Sequence, residues 1–194
     1  MRQIIVVGGG AAGMMAAVAA AEAGAAVTLL EKNEKLGKKI YITGKGRCNL
    51  TNAAPMREVQ AQVVSNPRFL YSAFRALTNE DVMRFFERAG CPLKTERGER
   101  VFPVSDHASD VIRALEREMQ AKGVRVRLNT EVRDLLFSGE AEARSVTGVL
   151  LANGDKLSAD AVILATGGLS YPATGSTGDG YRFAEAAGMT LTER

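Results

Sequence analysis

The chain has 194 residues, 46% hydrophobic and 24% charged, and 25 Lys and Arg residues against 22 Asp and Glu residues give a formal charge of +3. This length supports one sizeable core, and so small a charge, with no Lys/Arg run beyond two residues, argues against a nucleic-acid partner. Apolar runs fall short of the roughly 20 residues that span a bilayer, and the N terminus lacks a signal-peptide pattern. Two cysteines, Cys48 and Cys91, cannot build a disulfide framework, so we expect a cytoplasmic location.

The start of the chain has the pattern of a strand–helix–strand unit. The β-branched run Ile4–Val7 predicts a buried parallel strand. The alanine-rich stretch from Ala11 to Ala23 predicts a helix that ends at Gly24, and residues 25–31 predict the next strand. The turn between the first strand and the helix is therefore placed for ligand binding.

Three glycines in this turn, Gly8, Gly10 and Gly13, fit the dinucleotide-binding pattern G-x-G-x-x-G. In that pattern the first glycine permits the tight turn, the second lets a pyrophosphate approach the backbone, and the third lets helix and strand pack closely. Glu31, at the end of the second strand, is placed to accept hydrogen bonds from ribose hydroxyls and disfavours the 2′-phosphate of NADP. The motif alone leaves FAD and NAD open, and the alternative is that the glycines serve only packing.

Residues 32–52 are rich in lysine and glycine, and we expect an ordered loop anchored by Ile40, Tyr41 and Ile42. Its Gly-Lys-Gly-Arg-Cys-Asn centre combines open backbone with cationic groups, which suits an extended anionic ligand. The alternative is a solvated basic loop.

Residues of about 56–123 are predicted to be mostly helical. One helix begins at Asn79 and ends at Gly90, and another carries an apolar face and stops at Gly123. Between them, residues 100–104 are extended, and Pro103 predicts that this piece lies at a sheet edge or in a turn.

From Val124 onward the apolar period changes to two. The first run predicts a further parallel strand, and residues of about 130–160 predict an antiparallel β-meander. Residues 161–165 predict a buried strand that ends in a second glycine turn at 166–168, facing the same crevice as the first. A glycine-rich loop and a helix ending near Gly188 follow.

Several blocks of the chain resemble a known family: GGGAAG at 8–13, EK at 31–32, LGKKIYITGKGRCNLTN at 36–52, RVFPVSDHASDVI at 100–112 and ATGGLSYPATGSTGDGY at 165–181. They resemble the FAD-binding half of a flavoprotein with two dinucleotide-binding domains. The closer resemblance is to bacterial NAD(P)/FAD-dependent oxidoreductases, including aminoacetone oxidase-like proteins and flavoprotein reductases of bile-acid-type enones. The fold implied is an α/β, Rossmann-like FAD-binding domain with a parallel sheet, an antiparallel β-meander and an inserted helical segment. Lys45 departs from the pattern, because a glycine or another small residue is expected there.

The resemblance implies a role for each matching segment. The first glycine turn holds the pyrophosphate, Glu31 holds the adenosine ribose with Lys32 nearby, Val132 meets the adenine through its backbone, and the segment 46–49 approaches the flavin or its ribityl chain. The predicted cofactor-binding residues are Gly8, Gly10, Ala11, Ala12, Gly13, Glu31, Lys32, Lys39, Gly46, Arg47, Cys48, Asn49, Val132, Ala165, Thr166 and Gly167. No metal site is expected, and no catalytic acid or base is assigned.

Three single residues leave alternatives open. Cys48 is either a redox partner of the flavin or a small packing residue. Tyr171, before Pro172, either stacks on a ring or packs. Arg47 is a candidate for stabilising negative charge on reduced flavin.

The function implied is hydride transfer between flavin and a small organic substrate or NAD(P)H, in the cytoplasm and without nucleic acid or membrane as partners. Family members are longer, so residues 1–194 are expected to form the N-terminal FAD-binding portion, with the substrate domain and a returning strand in the remaining part of the full-length protein. The alternatives are a flavin-dependent RNA-modifying protein and a non-catalytic NAD-binding or redox-sensing module.

Overall fold

The protein is described from a computed structural model that covers residues 1–139 and 144–192. The chain divides into two compact units, one formed by Met1–Lys39 with the chain from Glu116 onward, the other by Ile40–Leu115. The elements, in chain order, are β1 (Gln3–Val7), α1 (Ala11–Glu22), β2 (Ala26–Leu30), β3 (Thr51–Asn52), α2 (Met56–Ala61), α3 (Tyr71–Ala76), α4 (Asn79–Arg88), β4 (Leu93–Glu96), β5 (Arg100–Pro103), α5 (Ala108–Ala121), β6 (Arg125–Arg127), β7 (Val132–Ser138), β8 (Ser145–Leu151), β9 (Lys156–Ser158), β10 (Ala161–Leu164) and α6 (Asp179–Ala186).

A parallel sheet organises the first unit. Among the described residues its strand order is β10-β1-β2-β6, with Ile4 opposite both Ala161 and Val27. The chain passes from β1 to β2, which pairs with one side of β1, whereas β10 pairs with the other side of β1. The sheet therefore has a topological switch point between β1 and β10, where ligands of such sheets bind beyond the carboxyl ends of the strands.

An antiparallel meander, β7-β8-β9, completes the first unit. The core of this unit joins the parallel strands to the meander and α6, through the buried residues Ile5, Val7, Leu30, Val132, Val149, Leu151, Ala159 and Phe183. The parallel strands and the meander are as predicted, the former from short continuous apolar runs and the latter from an apolar period of two, although β10 is half-buried and not buried as expected. Residues 140–143, inside the predicted meander, and residues 193–194, at the end of the predicted portion, lie outside the described residues.

The second unit contains helices and an antiparallel sheet of order β3-β5-β4. The helix predicted from Asn79 is α4, and it begins with a capping box in which Thr78 and Asp81 hydrogen-bond each other's backbone and side chain. The expectation that the 100–104 segment lies at an edge is wrong, since β5 is the central strand. Pro103 is tolerated because it is the last residue of that strand, opposite Leu93.

The loop before β3 is ordered, as expected, but its anchor is smaller than predicted. Ile40 is buried, whereas Tyr41 and Ile42 are 38% and 47% exposed. The segment Ile40–Gly46 forms 3-10 turns interrupted by a kink. The loop is closed by its own backbone, with the Cys48 N–H donating to the Thr43 carbonyl at 3.1 Å.

Candidate functional site: the two glycine turns

The first glycine turn is built by backbone contacts that leave no room for side chains. A Cβ built on Gly13 would lie 1.8 Å from the Gly8 carbonyl oxygen, and one on Gly8 would lie 2.4 Å from the Ala165 carbonyl oxygen. Gly8 also has a φ of 106°, which disfavours any other residue. These two glycines let α1 begin directly against the end of β1, as the motif predicts.

The N terminus of α1 is open. Within the part of the chain that the structure describes, no side chain caps this helix end and its first turn has no acidic residue. A Cβ on Gly10 would meet no described atom within 4 Å, and Ala11 and Ala12 are exposed. Helix N termini carry unpaired N–H groups and the positive end of the helix dipole, so this end favours an anion.

The second glycine turn lies beside the first. The Ala165 N–H donates to the Val7 carbonyl at 2.8 Å, which continues the pairing of β10 with β1 into the turn. Thr166 then faces Gly180 at the start of α6, where an added Cβ would lie 2.8 Å from the Thr166 hydroxyl. Ala165 and Thr166 therefore lie against Gly8 of the first turn, with Gly167 next in the chain, and the contact of these three residues with a cofactor stays a prediction.

Glu31 follows β2, and its carboxylate is 7% exposed and held by three N–H groups. Oε2 accepts from the Gly9 N–H at 2.6 Å, and Oε1 accepts from the Asn33 N–H at 2.8 Å and from Asn33 Nδ2 at 2.6 Å. A carboxylate has about four acceptor positions, so these three N–H groups leave one position of Oε2 unfilled. The structure places Glu31 at the glycine turn, and its role towards a ribose stays a prediction.

Two predicted lysines contact the segment from the second glycine turn to the first residue of α6. Lys32 Nζ contacts Asp179 Oδ2 and Thr177 Oγ1, both at 2.7 Å. This ion pair and the Thr177 hydroxyl offset the burial of Asp179, so the pKa of that carboxyl is lowered on balance. Lys39 Nζ donates to the Ser170 carbonyl at 2.7 Å and to its hydroxyl at 3.2 Å. Both lysines thus stabilise the segment that follows the second glycine turn.

Val132 begins β7, and its side chain is buried in the core of the first unit. Just before it, the Thr130 N–H donates to the Glu31 carbonyl at 2.9 Å. The start of β7 is therefore tied to the end of β2. A contact of Val132 with an adenine would have to use its backbone, which is what the resemblance implies.

The predicted residues Gly46, Arg47, Cys48 and Asn49 belong to the second unit. Asn49 Nδ2 donates to the carbonyls of Thr51 and Val101 at 2.8 and 3.0 Å. These bonds fix the loop to β3 and β5.

The Arg47 guanidinium is held by acidic and aromatic groups. It binds Glu96 through two hydrogen bonds, at 2.7 and 3.2 Å, and lies 4.0 Å from the centre of the Phe102 ring. The two hydrogen bonds from Arg47 lower the pKa of Glu96, and the hydrogen bond from Lys94 lowers the pKa of Asp106. The charge of Arg47 is thus compensated within its own unit, and its predicted effect on reduced flavin stays a prediction.

Cys48 is buried, and burial raises the pKa of its thiol, with a smaller opposing effect from a Thr43 hydrogen bond. A raised pKa disfavours the thiolate that redox chemistry needs, which favours the packing interpretation. Tyr171 is 67% exposed, so its ring is accessible.

Sequence reasoning did not predict the contacts that hold the predicted residues, which are made by Asn33, Ser170, Thr177 and the backbone of Gly9. Only Asn33 is close in sequence to its partner, Glu31. The others act across more than 130 residues in the case of Ser170 and Thr177, which spacing alone cannot reveal.

The residues present fit FAD at the fold's switch point. An open helix N terminus suits a diphosphate, and an adjacent buried carboxylate with one free acceptor direction suits a ribose. Fold and site together define a dinucleotide-binding domain of the Rossmann class.

Comparisons with known proteins identify the family. A family model described as HI0933-like protein Rossmann domain matches residues 2–194. The chain belongs to the HI0933-like Rossmann-domain family, a family of FAD-binding oxidoreductases. The predicted fold class, cofactor class and oxidoreductase class are therefore confirmed at the level of the family.

Relatives and solved structures agree with this assignment. A 3-dehydro-bile acid delta(4,6)-reductase of Clostridium scindens is 37% identical over 87% of this chain and 39% of that protein. A ribosomal RNA dihydrouridine synthase of Escherichia coli is 33% identical over 87% of this chain and 40% of that protein. A flavocytochrome c3 fumarate reductase structure has a TM-score of 0.65 at 25% identity, over 95% of this chain and 40% of that one. The chain spans about two fifths of the length of these curated relatives.

Within residues 1–139 and 144–192, no helix has both the length and the apolar character that a membrane span requires.

Proposed function

We propose that the protein to which this chain belongs transfers hydride between FAD and a small organic substrate. The observation that carries the proposal is the uncapped start of α1 beside the Glu31 carboxylate and the second glycine turn. When bound there, FAD supplies the group that accepts and donates hydride. This chain forms the FAD-binding portion, and the substrate domain belongs to another part of the polypeptide.

The residues of this chain bind and orient the cofactor. Backbone N–H groups from Gly10 to Gly13 hold the diphosphate, and Glu31 holds the adenosine ribose. Val132 meets the adenine through its backbone, and Thr166 lines the cofactor. The segment Gly46–Asn49 approaches the flavin. Lys32 and Lys39 act indirectly, by holding the loop between 170 and 179 through the contacts described above.

The substrate class follows from chemistry that the relatives' names share. A delta(4,6)-reductase and a dihydrouridine synthase are both named for reduction of a carbon–carbon double bond. We infer a substrate whose double bond is conjugated to a carbonyl, because the carbonyl makes its β-carbon an acceptor of hydride. NAD(P)H is the proposed electron source. No disulfide joins Cys48 and Cys91 in the described part of the chain, which is compatible with a reducing cytoplasm.

A test uses the intact polypeptide. Cofactor released by heat is identified by mass, and bound flavin is then reduced anaerobically with NADPH or NADH and reoxidised with a 4-en-3-one bile acid. Reoxidation by the enone, but not by its saturated analogue, is expected. Failure of the enone to reoxidise reduced flavin contradicts the substrate class, and absence of flavin contradicts the proposal as a whole.

A second candidate, uridine reduction in RNA, is supported by two relatives named ribosomal RNA dihydrouridine synthase, at 33% and 32% identity. The charge of +3 argues against an extended RNA interface in this chain. Binding of a ribosomal RNA fragment whose affinity falls steeply with salt would favour the RNA substrate, since phosphate contacts release counterions. Salt-independent or absent RNA binding favours the small molecule.

A further inference from the structure

Asn33 lies two residues after Glu31 and contacts its carboxylate twice. The backbone N–H of Asn33 reaches Glu31 Oε1 at 2.8 Å, and Nδ2 reaches the same oxygen at 2.6 Å. The other oxygen, Oε2, accepts from the Gly9 N–H at 2.6 Å. Because each oxygen has its own donor, the carboxylate cannot rotate without losing hydrogen bonds.

The Asn33 side-chain amide is itself held by residues other than Glu31. Nδ2 also donates to the Thr174 carbonyl at 3.3 Å, and Oδ1 accepts from Lys38 Nζ at 3.3 Å. Gly175 packs so closely that a Cβ there would lie 2.6 Å from Asn33 Nδ2. Asn33 therefore joins the end of β2 to the loop that precedes α6.

We propose that Asn33 is a positioning residue, which orients the Glu31 carboxylate for the adenosine ribose of FAD and couples it to the 174–175 loop. This inference rests on the proposed function, because it needs Glu31 to bind the ribose. Three of about four acceptor positions of the carboxylate are filled in a fixed arrangement, so the remaining one points in a defined direction. Loss of the Asn33 amide leaves Oε1 with only the backbone N–H of Asn33, so the orientation of the buried carboxylate is less tightly defined and it is one donor short.

The test compares FAD with FMN in the intact protein. Asn33→Ala is expected to weaken FAD binding about tenfold, the loss typical of one hydrogen bond to a charged group. FMN lacks the adenosine, so its affinity should change by less than about twofold. Asn153→Ala is the matched control, because Asn153 hydrogen-bonds only within its own turn in the contacts of the described residues. It should leave both affinities unchanged.

A double-mutant cycle separates positioning from a general structural role. If Asn33 acts through Glu31, Asn33→Ala has no further effect on FAD affinity in a Glu31→Ala background. An equal loss for FAD and FMN, or the same loss with and without Glu31, would overturn the inference. If the unchanged protein bound no FAD at all, the proposed function would fail instead.

Asn33→Asp gives a second test, the pH dependence of FAD affinity. Unlike Asn33→Ala, it does not shorten the side chain. It keeps the shape but sets a second carboxylate against Glu31. The Lys38 ammonium faces only the Oδ1 side of residue 33, at 3.3 Å, so the oxygen that replaces Nδ2 repels Glu31 and FAD affinity should fall further than in Asn33→Ala at neutral pH. Affinity should recover partly on acidification, because two adjacent carboxylates share a proton more readily than isolated ones. A loss independent of pH would count against the positioning role.

Discussion

Lys45 has a left-handed backbone, with φ 58° and ψ 41°. Such a conformation costs a residue with a Cβ roughly 1–2 kcal/mol. The family resemblance predicts a glycine or another small residue here, and the backbone gives the physical reason. The departure is thus a local strain in the loop that carries Gly46–Asn49.

Replacing Lys45 with glycine should stabilise the protein by about 1 kcal/mol, because glycine adopts this conformation without the Cβ penalty. The expected rise in Tm is roughly 2–4 °C, measured by calorimetry. Lys45→Ala is the control, since it removes the same charge but keeps the Cβ. Equal effects of the two substitutions would show that charge, not backbone strain, is responsible.

Gly10 and Gly13 allow fold and ligand binding to be separated. A Cβ at Gly13 would collide with the Gly8 carbonyl at 1.8 Å, so Gly13→Ala should destabilise the protein by more than about 3 kcal/mol. A Cβ at Gly10 meets open space, and its φ of −83° suits alanine, so Gly10→Ala should leave Tm nearly unchanged. We expect Gly10→Ala nevertheless to weaken FAD binding at least about tenfold, because the diphosphate must approach that carbon. Normal FAD affinity in Gly10→Ala would place the diphosphate elsewhere.

At the scale of elements, the parallel strands were predictable from short apolar runs, and α1 from an alanine-rich stretch that lies between Gly10 and Gly24. The sheet formed by β3, β5 and β4 was not, since short strands in a mostly helical region carry little periodicity. The candidate site likewise has residues that the sequence predicts and contacts that it does not. Gly8, Gly13 and Glu31 follow from local spacing, whereas the Lys32–Asp179 pair depends on tertiary structure across 147 residues.

The capping box of α4 should make stability depend on pH. Hydrogen bonds from Thr78, with a further one from Arg84, lower the pKa of Asp81 from 3.8 to about 2. Because the folded-state pKa is depressed, Asp81 stabilises the fold above its unfolded pKa and loses that effect as pH falls towards 2.

Asp81→Asn tests this dependence. The difference in unfolding free energy between the unchanged protein and the variant should shrink as pH falls from about 5 to about 2. Urea unfolding at several pH values measures it. A difference that stays constant across this range would contradict the assigned pKa shift.

At the scale of the whole molecule, the chain spans about two fifths of its curated relatives, at 39% and 40%. We propose that its own contribution is the FAD-binding site at the switch point of the parallel sheet. Bound FAD should therefore stabilise the intact polypeptide by mass action, by about 2.7 kcal/mol at a concentration one hundred times its Kd.

The most direct measurement is the FAD content and uptake of the intact polypeptide, compared with its Gly10→Ala and Glu31→Ala variants. The account predicts about one FAD per chain in the unchanged protein and weakened uptake in both variants, with all three folded. A folded, colourless protein that takes up no FAD, or uptake that neither substitution alters, would contradict it.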